Sequence, residues 1–218
     1  MSEGLLPNPT VDADHPDVIA YAKEHTAGAG DDTEKAVRLY YAVRDGIRYD
    51  PYSLELTVPG LRASTTLEAG RGWCVAKSVL LAAACRAVNV PARLGFADVR
   101  NHLSTERLSQ HMGTDVFYWH GYTAIALNGS WVKATPAFNV ELCERFRIKP
   151  LEFNGREDSI YHPFDLEGRK HMEYLHFRGE YDDVPIEPMM TTFIEKYSPT
   201  VYDVSEGDFD AEVEQESN

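Results

Sequence analysis

A chain of 218 residues, 43% of them hydrophobic, can fill one good core, and at about 150 residues per domain it reads as a single domain. A formal charge of −14 argues against a nucleic-acid or anionic-membrane partner, because both surfaces need concentrated Lys and Arg. No stretch of about 18 apolar residues occurs, Met1 to Pro7 lack the basic and apolar regions of a signal peptide, and cysteines at 74, 85 and 143 have no framework spacing. A soluble, cytoplasmic protein in a reducing compartment is therefore expected.

In chain order, Asp14-His15-Pro16 starts a helix that ends near Gly28-Ala29-Gly30, with Pro inside its first turn. Asp31-Asp32-Thr33 caps a second helix, Glu34 to Arg44, whose apolar positions 36, 37, 40, 41 and 43 form one face. Residues 51–63 read as loop, punctuated by Pro51 and Pro59-Gly60, and Ser64 to Leu67 continue it. A buried helix follows, with small or apolar residues at 76, 79, 80, 83 and 87, stopped by Asn89-Val90-Pro91. Ala92 to Val99 is a strand. Phe117 to Leu127 and Ser130 to Ala134 form a hairpin around Asn128-Gly129. Further on, Ile148 to Phe153 is strand-like, Pro188 to Tyr197 is helix-like, and turns lie between them. Helices come early and strands late, so the fold class is α+β. A single domain over 1–205 is expected. Residues 206–218, rich in Asp and Glu, read as a disordered acidic tail.

Gly72-Trp73-Cys74 stands directly before the buried helix, which puts Cys74 in its first turn. Unpaired N–H groups there stabilise a thiolate. A base is still needed, and His120 supplies one from the hairpin. If Leu127 opposes Ser130, then Tyr122 opposes Thr135 and Ala137 opposes His120. Thr135 is then diagonal to His120, roughly 7–8 Å away by Cα, close enough for a side chain at 135 to touch the imidazole.

A Gly-x-Cys opening a helix, the helix running into Arg86-Ala87-Val88-Asn89-Val90-Pro91-Ala92-Arg93, a His on a strand and the Trp131 return of a hairpin resemble the transglutaminase-like superfamily over about residues 35–140. That resemblance implies a papain-like core at about 35–140, in which the nucleophile helix packs on an antiparallel sheet, with an extension at 141–205. It makes Cys74 the nucleophile and His120 the general base. The third member, an Asp four residues after the hairpin Trp, falls on Thr135, which cannot carry the charge that stabilises an imidazolium. Either the Thr135 hydroxyl or Asn139 orients the ring, or activity is weakened.

Other roles are less determined. Trp73 either donates an indole N–H to an oxyanion or forms a wall of the substrate pocket, and Glu68, an acceptor only when ionised, is left without a role. His102, His111 and His120 recur at nine-residue intervals, which match neither chelating pairs nor a His-Glu-x-x-His helix, so no metal or cofactor is expected. The sequence thus predicts a cysteine-dependent acyl transferase or hydrolase acting on a peptide or amide substrate, with a catalytically weakened binding scaffold as the alternative.

Overall fold

The computed structural model describes residues 4–102, 104–160, 168, 171–199 and 207–216. The first two helices are those the sequence marks. In α1 (Pro16–His25) the proline sits in the first turn, where its missing N–H costs nothing, and α2 (Asp32–Gly46) is capped by Asp31, which accepts the Glu34 N–H at 2.8 Å. After β1 (Arg48–Tyr49), the segment read as loop holds α3 (Val58–Leu61), one turn capped by Thr57, and residues 64–67 belong to α4 (Ala63–Ala69). Pro59 disguises α3, because a proline in the first turn looks like a loop residue in sequence. The two-residue strand β2 (Arg71–Gly72) pairs in parallel with β1 and delivers the chain to α5 (Cys74–Ala87).

The central helix α5 is enclosed by α1, α2 and α4 on one side and by the sheet on the other. Thirteen of its fourteen residues are buried, so the sequence's single stripe understates a helix that is covered all round. Each fully buried Val79, Leu80 or Leu81 contributes about 1.5–3 kcal/mol. Its two cations are matched by acceptors: Lys77 Nζ donates to the carbonyls of Arg44 (2.9 Å) and Ile47 at the end of α2, and Arg86 donates to the carbonyls of Leu6, Ala92 and Asp182.

The sheet contains β3 (Ala92–Asn101), β4 (Val116–Leu127), β5 (Ser130–Ala134) and β6 (Met172–Tyr181) in the order β5-β4-β3-β6, and all neighbours run antiparallel. This is the expected α+β arrangement. Asn128 (φ 52°) and Gly129 (φ 82°) make the tight turn, and pairing runs in the expected register from Leu127 with Ser130 to Thr123 with Ala134. It stops there. The Thr135 N–H donates to the Ser159 carbonyl at 3.0 Å and the Ser159 N–H to Lys133 at 2.7 Å, so the expected pairs of Tyr122 with Thr135 and His120 with Ala137 are not formed. Pro136 has no N–H to continue the ladder, and the chain at Ser159 takes over the edge.

Four further elements escaped the sequence reading. α6 (Glu106–Met112), between β3 and β4, and α7 (Val140–Phe146), after β5, are single seven-residue helices in stretches to which the sequence reading assigns no element. β6 is an edge strand whose mixed faces look like turns, although that reading of 154–187 also covers residues outside the described set. Conversely, 148–153 is no strand: Ile148, Leu151 and Phe153 are buried, but the Leu151 carbonyl accepts from the Tyr40 hydroxyl (2.8 Å) and from Arg44 rather than from a ladder. α8 (Ile186–Lys196) begins two residues before the expected helix. The acidic tail is the helix α9 (Phe209–Glu216), docked through buried Phe209 and Val213 and by ion pairs from Arg48, Arg107 and Arg145. Those arginines lie far off in sequence, which is why composition alone reads as a solvated end. Among the described residues no helix is long and apolar enough to cross a membrane.

Candidate active site

Cys74 is the first residue of α5, with Trp73 as its cap. Gly72 makes the turn fit, since a Cβ there would lie 3.1 Å from both Ala76 Cβ and Thr66 Cγ2. Gly121 does the same on the sheet. A Cβ at 121 would lie 3.0 Å from Val75 Cα and 3.4 Å from the Cys74 carbonyl, so the strand residue after His120 touches the start of the helix only because it is glycine.

Cys74, His120 and Trp73 line one cavity of about 50 Å³, together with residues of the 49–54 segment, α6, β4 and α8. All three are at least nine-tenths buried. Burial pushes the Cys74 thiol up to about 11, against the pull of the Gly121, Val75 and Cys74 backbone N–H groups turned toward the sulfur. Burial also pulls the His120 imidazole down to about 4. The resting pair is therefore neutral thiol and neutral imidazole. The thiolate that the helix terminus favours is outweighed by desolvation.

His120 follows a break in β4. Ala97 pairs with His120 but Val99 with Phe117, so Asp98 alone faces both Tyr118 and Trp119. Trp119 adopts φ 59°, a left-handed conformation costing a non-glycine residue of order 1–3 kcal/mol. Asp98 holds it through the Trp119 N–H at 3.1 Å, and a forked ion pair from Arg178 fixes Asp98 at 2.6 and 2.9 Å. Bulges of this kind re-aim a neighbouring side chain. Only the spatial neighbourhood of Asp98 could have revealed this role.

Neither residue expected to orient the ring lines the cavity. Thr135 does not line the cavity, and its buried hydroxyl has no hydrogen-bond partner among the described residues. The Asn139 amide accepts the Tyr49 N–H at 3.2 Å and donates to Glu141 at 2.8 Å. His111 joins the cavity wall from α6, whereas His102 pairs with Glu173 at 3.1 Å, and Glu68 is exposed on α4. Among the described residues no three His, Cys, Asp or Glu side chains are grouped to hold a metal ion.

The family model of the Transglutaminase-like superfamily matches residues 19–136, more than half of the chain. The chain belongs to that superfamily. No curated protein matches it. Among solved structures it is similar to a candidate cysteine protease from Cytophaga hutchinsonii, at 16% identity and a TM-score of 0.48, over 81% of this chain and 52% of that one. It is also similar to a candidate protease from Parabacteroides distasonis, at 14% identity and a TM-score of 0.41, over 58% of this chain and 25% of that one. The chain thus spans about half the length of the first and a quarter of the second.

Proposed function

We propose that the chain is a cysteine-dependent acyl-transfer enzyme that by default hydrolyses an amide, as a peptidase or amidase does. The observation that carries the reading is that Cys74 opens α5 and lines one cavity with His120. The neutral imidazole takes the thiol proton as the sulfur attacks the amide carbon, a contribution of typically 10²–10⁴-fold for general-base catalysis. The Cys74 backbone N–H is the first donor to the developing oxyanion. Collapse breaks the C–N bond, and the proton on His120 leaves with the amine. Water then attacks the thioester, gives one proton to His120, and releases the acid as that proton returns to Cys74. An amine in place of water would make the reaction a transglutamination.

The test is intact-mass detection of an acyl-enzyme during turnover of a mixed peptide-amide library. The expected adduct sits on Cys74, and Cys74→Ala abolishes both adduct and product. Product formation by Cys74→Ala would refute the proposal. A second reading, a weakened superfamily member acting as a binding scaffold, is favoured by one feature: Thr135 stands where a carboxylate would brace the ring.

A further inference from the structure

Among the described residues fourteen line the cavity beside Cys74, and none of these is Asp, Glu, Lys or Arg. None of these wall positions offers a counter-charge to a charged side chain in the cavity. Half of it is aromatic, with rings from four separate elements: Tyr49, Trp73, Phe117 and Phe193 among them. Tyr49 and Tyr197 are held as neutral phenols by burial, so the polar groups that remain carry no charge either. Trp73 and Phe193 already meet edge to face, with centroids 6.3 Å apart, the geometry in which an added ring packs well.

From this wall we infer the substrate class: the acyl group taken by Cys74 carries an uncharged side chain, aromatic or branched aliphatic, that seats in this cavity. The inference rests on the acyl-transfer reading above and adds specificity to it. The room, about 50 Å³, is a third of the roughly 150 Å³ that takes a benzene ring, so a side chain seats there only as the apolar walls part around it. An acidic or basic side chain would lose its hydration without meeting any opposite charge, a cost of several kcal/mol per ion, whereas an apolar one gains by leaving water.

The test uses four acyloxymethyl ketone probes that differ only in the residue beside the electrophilic carbon: Phe, Leu, Asp or Lys. In each, the Cys74 sulfur bonds to the methylene carbon, a carboxylate leaves, and the thiol proton passes to His120. The inference predicts that the Phe and Leu probes modify Cys74 at least tenfold faster than the Asp and Lys probes, as second-order rates read by mass spectrometry. Leu54→Lys, at a half-buried wall position, should slow the Phe and Leu probes and speed the Asp probe. Equal rates for all four, all on Cys74, would overturn the substrate class and leave the nucleophile standing. Faster modification by a charged probe would do the same. Failure of every probe to reach Cys74 would overturn both readings.

Discussion

The Asp98 carboxylate accepts the backbone N–H of Trp119 at 3.1 Å, one residue before His120. A buried acid on β3 thereby holds the left-handed kink from which the candidate base leaves β4. Asp98→Ala should lower kcat at least tenfold with little change in KM, at a stability cost of about 1–3 kcal/mol for the orphaned N–H and Arg178. Asp98→Asn keeps an oxygen for the Trp119 N–H and should recover much of that kcat. If both variants lose stability but keep wild-type kcat, Asp98 is purely structural.

Thr135→Val is a clean probe of the ring-orienting role. Its hydroxyl is buried without a hydrogen-bond partner among the described residues, so replacing it with a methyl should leave stability unchanged or slightly improved. A fall in turnover would then report on the imidazole alone. Asn139→Ala, by contrast, strips the acceptor from the Tyr49 N–H and should cost about 1–2 kcal/mol whatever the chemistry. Thermal unfolding and turnover, measured on both variants, separate the two residues. Full turnover in Thr135→Val, with a loss in Asn139→Ala that persists when measured well below its unfolding temperature, would assign the role to Asn139.

The parts legible in the sequence are those whose causes are local. The Asp31 cap, the Asn128-Gly129 turn and the glycine-flanked Cys74 at a helix start each rest on residues within one turn of one another. The register of β4 with β5 also follows from the turn, but only to Ala134, because the diversion of Thr135 depends on Ser159, over twenty residues further on. The bulge before His120 was invisible for the same reason, since Asp98 and Arg178 are 80 residues apart. α9 looked like a solvated tail until Arg48, Arg107 and Arg145 are brought beside it. The sign of the Cys74 shift was missed because the helix terminus is written in the sequence and the burial that outweighs it is not.

Lys77 sets a pH dependence. Complete burial pulls its ammonium down to about 7, against about 10.4 in an unfolded chain. Between those values the unfolded chain holds a proton that the folded one has released, so stability rises with pH across the window, by at most about 1.4 kcal/mol per unit from this group. Urea unfolding at pH 7.5 and 9.5 should show wild type gaining on Lys77→Met by about 2 kcal/mol between the two. A constant difference would mean that the two carbonyls at the end of α2 keep Lys77 charged.

Glu212 on α9 ties two walls of the cavity together. Its carboxylate accepts from the Tyr52 hydroxyl, from Thr105 at 3.3 Å and from Arg107 at 3.0 Å, joining the 49–54 segment to α6. Glu212→Ala should cost about 1–2 kcal/mol and raise hydrogen exchange in both walls. Exchange raised in α9 alone would show that the helix covers the walls without holding them.

The most direct test of the central claim is the rate at which each cysteine reacts with iodoacetamide at pH 7.5, with and without His120. All three thiols are raised by burial, Cys74 to about 11 and Cys85 and Cys143 to about 12, but of the three only Cys74 lines the cavity that His120 also lines. Cys74 should be alkylated at least tenfold faster than Cys85 and Cys143, and His120→Asn should slow Cys74 while leaving the other two unchanged. Equal alkylation of the three cysteines, or a Cys74 rate indifferent to His120, would contradict a nucleophile and base acting as a pair.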